Sequence, residues 1–178
     1  FDRVRGQISL RHGEVRLSNA ELRLPPPPNT GGTTSPPVPG LLTGNFLYRT
    51  AEHEVAFDLT GAALPLDGLP RLQTPRLPVG GRLSFQVSGQ GPLLTPKLQG
   101  SLRLVDLKLG SEVVGSFGGT LESDGSQLTL QVDSAMATGT LHGAMQVALR
   151  GDFPVTSQIS VAQLDLNPLI AAALHLSA

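Results

Sequence analysis

The sequence predicts an all-β protein, built as a long curved antiparallel sheet with an open apolar groove. Apolar and polar residues alternate along many short stretches, which is typical of strands that have one dry face and one wet face. The 21 glycines and 15 prolines recur about every 8 to 12 residues, a spacing typical of turns between short strands. The whole chain, residues 1–178, is interpreted as one segment of a repetitive sheet from a longer protein, because it begins at Phe1 without a methionine or a targeting segment.

The first strands show one change of phase. Val15 and Leu17 share one face, but the apolar positions then move to Leu22 and Leu24, so a bulge or turn is predicted at 18–20. Further on, a hairpin is predicted whose turn lies at 51–53, between two alternating stretches. A bulge bends a sheet, so the change of phase favours a curved one.

Residues 25–40 are predicted to form a proline-rich flexible insertion. This segment includes four consecutive prolines, which cannot donate to a strand ladder, and it has little apolar surface to bury. A docking segment for an aromatic groove is the alternative interpretation. A second irregular connection is predicted at 65–78.

The second half of the chain carries the candidate binding surface. Its strands alternate cleanly, with one further change of phase after Leu104 and turns predicted at 123–126 and 150–152. We predict that the apolar side chains of this half line the groove. The predicted groove-lining residues are Leu83, Phe85, Val87, Leu102, Leu104, Leu128, Leu130, Val132, Leu141, Met145, Val147 and Ile159.

Two segments resemble each other at an offset of 100 residues. Residues 62–69 and 162–169 both follow the pattern A-x-L-x-L-[D/N]-x-L, and each copy comes after alternating strands. The repetition predicts units of several strands, each closed by this connecting motif. Residues 166–176 lack alternation and contain three consecutive alanines, so a short helix is predicted near the C-terminus.

The sequence offers no constellation for catalysis, and we expect no enzyme activity and no cofactor. The four histidines are isolated, and there is no cysteine, so neither a metal site nor a thiol nucleophile is expected. Gly89-Gln90-Gly91 is followed by prolines and not by a helix that could bind phosphate. Ser116 does not lie in the G-x-S-x-G pattern of a nucleophile elbow.

Charge and hydropathy limit the partners. The chain has 13 Lys and Arg against 14 Asp and Glu, a net charge of -1, so no nucleic acid partner is expected. No apolar run approaches the roughly 18 residues that a membrane-spanning helix requires, so no transmembrane helix is expected in this segment.

Residues 81–110 carry the clearest likeness to a known family. Their sequence follows the pattern G-x-L-x-F-x-V-x-G-x-G-x(4)-P-x-L-x-G-x-L-x-L-x-x-L-x-L, which resembles the repeating pattern of the TamB family within the AsmA-like group. The resemblance implies a periplasmic part of an inner-membrane-anchored protein in a diderm bacterium. It also implies phospholipid acyl chains as cargo, with an outer-membrane barrel protein as a further partner in outer-membrane protein assembly.

Two hypotheses for the apolar face remain open. The face either shields acyl chains or nascent barrel strands in a groove, or it belongs to a structural or adhesin-like extracellular domain that acts through strand pairing. The abundance of leucine relative to valine and isoleucine has two explanations, codon bias in a GC-rich genome or a surface that does not interlock with a rigid partner. The second explanation favours the acyl-chain hypothesis.

Overall fold

The computed structural model describes residues 3–25, 38–67, 78–110, 112–136, 139–149 and 154–162. They form one ten-stranded sheet in which each strand pairs antiparallel with the next along the chain, so the predicted all-β antiparallel class is confirmed. The strands are β1 (Arg3–Arg11), β2 (Glu14–Leu24), β3 (Gly40–Arg49), β4 (Glu54–Pro65), β5 (Val79–Pro92), β6 (Lys97–Leu109), β7 (Glu112–Ser123), β8 (Gln127–Met136), β9 (Gly139–Ala148) and β10 (Val155–Ala162).

Short turns join several of the consecutive strands. Between β1 and β2 the loop consists of His12 and Gly13 alone, and both have positive φ angles, 46° and 79°. Two positive φ angles are typical of the type I′ turn, whose twist matches that of the flanking strands. The predicted hairpin between β3 and β4 is present, since Arg49 pairs with Glu54 across the turn.

Both predicted changes of phase are bulges. The register between β2 and β3 shifts between Leu17 and Ala20, and that between β6 and β7 shifts after Leu104. One residue in each bulge adopts a positive φ, 52° at Asn19 and 54° at Asp106. The extra residue lets the apolar side chains return to the same face of the sheet after each shift.

Several predictions fall on residues that the structure does not describe. The insertion at 25–40 is described only at Pro25 and 38–40, and Gly40 begins β3. The C-terminal helix at 166–176, the turn at 150–152 and all of the second motif except Ala162 lie outside the described residues. In the first motif, residues 62–65 belong to β4.

The described residues provide no second layer of structure. Each strand makes its main contacts with the strands before and after it in the sheet. Among the described hydrophobic residues only Val55 and Leu66 are buried. A sheet with one apolar face normally packs that face against another layer, and the described residues do not supply such a layer.

Candidate functional site: an apolar face without a second layer

The register of the strands places the twelve predicted groove residues on one face. Residues directly opposite in neighbouring strands point to the same side of a sheet, so the register groups them into rows that cross the sheet. Leu128 and Val147 lie in a first row, and Val87, Leu130 and Met145 in a second. The third row includes Phe85, Leu102, Val132 and Ile159, and the fourth includes Leu83, Leu104 and Leu141.

These four rows, which we call the apolar face, continue through β1 to β4 and include further residues of β6 and β7. The additional apolar members are Ile8, Leu17, Phe46, Phe57 and Leu98 in the first row, Leu59 and Leu121 in the second, Val4, Leu22 and Leu42 in the third, and Leu64 and Phe117 in the fourth. The groove prediction omitted them, although most show the same alternation. The bulge at 18–20 moves the apolar positions of β2 from odd to even numbers, so Leu17 and Leu22 share this face.

Glycines lie opposite two of the four phenylalanines of the apolar face. Phe57 is paired with Gly89, and a Cβ atom added at Gly89 would lie 2.7 Å from its Cζ atom. Phe85 is paired with Gly61, where an added Cβ would lie 2.6 Å from its Cε1 atom. Each ring therefore lies across the backbone of the neighbouring strand, in space that only glycine leaves open.

Two more glycines of this face lie against backbone. A Cβ added at Gly100 would come within 2.5 Å of the Gln86 carbonyl oxygen, and one added at Gly119 within 2.5 Å of the Gln131 carbonyl oxygen. By contrast, Gly118 belongs to the opposite face, and an added Cβ there would meet only the Asp133 oxygen, at 4.0 Å. Gly100 and Gly119 are thus much more crowded at backbone level than Gly118.

Exposure of the apolar face is greatest at its two ends. On β1, Val4 and Ile8 are 70% and 79% exposed, and on β10, Ile159 is 67% exposed. The apolar side chains of the strands between them are mostly half-buried, because neighbouring strands flank them on both sides. The described part of the chain therefore leaves a continuous apolar surface in contact with solvent.

The opposite face is polar. One of its rows consists of Asn45, Asp58, Ser88, Gln99 and Glu122 on successive strands. This row and its neighbours line a shallow groove of about 1080 Å³. The Asn45 Nδ2 atom donates to both carboxylate oxygens of Asp58 at 3.3 Å. Because cations, anions and amides are mixed in this groove, it presents no single charge to a ligand.

A carboxylate organises the turn between β7 and β8. The Asp124 Oδ1 atom accepts hydrogen bonds from the Ser126 N–H and Ser126 Oγ–H at 2.7 Å and from the Gln127 N–H at 2.9 Å. Gly125, at φ 92°, provides the positive φ that the turn requires. The donors of Ser126 and Gln127 stabilise the ionised carboxylate and lower the pKa of Asp124 from its usual 3.8 to about 2.

Acid should therefore loosen this turn. The folded pKa lies below that of the unfolded chain, so the stabilising effect of Asp124 is complete above about pH 4 and is lost as pH falls through about 2. A ¹³C NMR titration of the side-chain carboxyl should give a midpoint of about 2. Ser126→Ala removes one donor and should raise that midpoint. A midpoint at the usual value in the folded protein would contradict the turn geometry.

The described ranges meet neither the requirements of a metal site nor those of a membrane-spanning helix. No three histidine or carboxylate side chains there are grouped so that they could hold a metal ion. None of the residues in those ranges belongs to a helix long and apolar enough to cross a membrane. Comparisons of the chain with protein-family models, curated proteins and solved structures give no match. The apolar face is the candidate binding surface of the described residues.

Proposed function

We propose that the apolar face binds the acyl chains of phospholipids and shields them from water, without catalysis. The observation that carries this proposal is the ten-stranded apolar face that no second layer covers within the described residues. Full burial of one aliphatic side chain contributes about 1.5 to 3 kcal/mol, so covering even part of this surface supplies a large driving force. Acyl chains are flexible, so they can cover this surface without matching a fixed shape.

The dimensions of the surface suit extended chains. Ten strands spaced about 4.8 Å apart make the face roughly 43 Å long across the strands. Four rows separated by two residues each make it roughly 20 Å wide along the strands. The face is thus an elongated strip.

The cellular setting follows from the resemblance of residues 81–110 to the TamB family. We place the chain in the periplasm, as part of an inner-membrane-anchored protein of a diderm bacterium. There the apolar face would serve phospholipid transport between membranes. It could also hold nascent strands of outer-membrane barrel proteins, because such strands likewise present one apolar face.

Single tryptophans can report which face meets lipid. The chain has no tryptophan, so Phe85→Trp on the apolar face and Gln86→Trp on the polar face each introduce one reporter in neighbouring positions of β5. Phosphatidylcholine with dibrominated acyl chains should strongly quench the fluorescence of Phe85→Trp, because bromine quenches by contact. It should leave Gln86→Trp nearly unchanged.

Equal quenching of both variants would show nonspecific adsorption, and no quenching of a folded Phe85→Trp variant would contradict lipid binding. Circular dichroism of both variants establishes that the sheet is intact. If lipid has no effect while a barrel-strand peptide shifts the emission of Phe85→Trp, the apolar face holds barrel strands and does not hold acyl chains.

A further inference from the structure

The edge strand β10 lacks the features that usually prevent edge pairing. Its sequence, VTSQISVA, contains no charged residue and no proline, and its pairing with β9 runs without a bulge from Val155 to Ala162. Residues 155–160 are all exposed. A regular, uncharged edge strand presents a row of backbone donors and acceptors that another strand can pair with.

The other edge strand is protected. β1 carries Arg3, Arg5 and Arg11, all exposed, and its register with β2 shifts between Arg5 and Gln7. Charged side chains and bulges are the usual means by which proteins block sheet edges. The two edges of the same sheet therefore differ, and only β10 is ready for pairing within the described part of the chain.

The sequence of β10 is also complementary to itself. In an antiparallel pair of two β10 strands centred on Gln158, Thr156 lies opposite Ser160 of the other copy, and Ser157 lies opposite Ile159. Val155 is then at the position opposite Val161. In this register Thr156 and Gln158 lie opposite polar residues on the polar face. The two residues of every pair point to the same face of the sheet. If two β1 strands paired in the same way around Gln7, Arg3 of one copy would lie opposite Arg11 of the other, and their positive charges would repel each other.

We propose that β10 pairs antiparallel with β10 of a second copy of this chain, around a two-fold axis at Gln158. Such an isologous contact is closed, because each copy uses its free edge once. The axis is perpendicular to the sheet, so the two apolar faces lie on the same side and form one surface twice as long. The pairing does not depend on whether that surface binds lipid.

A single cysteine tests the register, since the chain has none of its own. In the proposed dimer the two Gln158 residues are directly opposite, with Cα atoms about 4.5 to 5.5 Å apart, which is within the range of a disulfide. The two Thr156 residues are offset by four positions, about 13 Å along the strand. Under mild oxidation Gln158→Cys should therefore form a disulfide-linked dimer, and Thr156→Cys should remain monomeric on a non-reducing gel.

Charge substitutions test the contact without a covalent link. Thr156→Lys combined with Ser160→Lys places lysine opposite lysine twice in the dimer, whereas Thr156→Lys with Ser160→Glu places lysine opposite glutamate twice. Both positions are exposed in the described sheet, so neither pair of substitutions disturbs packing. We expect the dissociation constant of the dimer to be at least about tenfold higher for the double lysine variant.

Light scattering at increasing protein concentration measures the outcome. The native chain and the lysine and glutamate variant should approach twice the chain mass of 18.6 kDa, and the double lysine variant should stay near one chain mass. A native chain that stays monomeric at all concentrations would overturn the proposal. So would species larger than a dimer, which indicate head-to-tail pairing, and so would equal crosslinking of the two cysteine variants.

Discussion

Replacing Gly100 with alanine should lower the free energy of unfolding by about 1 to 3 kcal/mol, the usual cost of overpacking. The new methyl group would lie 2.5 Å from the Gln86 carbonyl oxygen and 3.1 Å from the Val87 Cα atom. Both are backbone atoms of β5, so a change of side-chain rotamer cannot relieve the contact. The two strands would have to separate locally, which would weaken their hydrogen bonds. Urea unfolding followed by far-ultraviolet circular dichroism measures the loss.

Gly118→Ala is the matched control for this prediction. Gly118 lies two positions before Thr120 in β7, on the polar face, and an added methyl group there would meet only one atom, at 4.0 Å. Because glycine weakens a strand interior, this substitution should leave stability unchanged or raise it slightly. If both variants lose the same stability, the effect is one of strand propensity, and the crowding of the apolar face is not its cause.

Replacing Leu102 with aspartate should weaken the binding of phosphatidylcholine at least about 100-fold, because an unpaired charge buried under acyl chains costs several kcal/mol. Leu102 lies in the third row, between Phe85 and Gly119, so the carboxylate would lie in the middle of the apolar face. The affinity can be measured by titrating dibrominated phosphatidylcholine into the single-tryptophan variant Phe85→Trp, with and without the aspartate substitution.

Ser101→Asp provides the control at the adjacent position of β6, where the side chain is exposed on the polar face. It should leave the affinity for lipid unchanged, since its carboxylate stays in water. Leu102→Asn changes polarity without charge and should give an intermediate loss, which keeps the prediction testable if the aspartate variant does not fold. Unchanged affinity in a folded Leu102→Asp variant would mean that lipid does not occupy the apolar face.

The conformation of single strands could be predicted from the sequence because it depends on neighbouring residues. Leu83, Phe85 and Val87 share a face since successive side chains in an extended chain point to opposite sides. The bulge at 18–20 was evident from a change of parity, and the turn after Ser123 from its Asp-Gly sequence. Alternation, parity and turn sequence each depend on a few neighbouring residues. The sequence by itself therefore determined the all-β class and which side chains of most strands form the apolar face.

Only the tertiary structure decided which strands are neighbours and in what register. Val87, Leu130 and Met145 belong to one row because β5 to β9 pair in order, and the alternation within each strand does not specify that alignment. The pairing of Phe85 with Gly61, the crowding at Gly100 and the unequal edges at β1 and β10 likewise arise from contacts between strands. These contacts join residues far apart in the chain, so hydrogen bonding and packing between strands determine them, and local conformational preference does not.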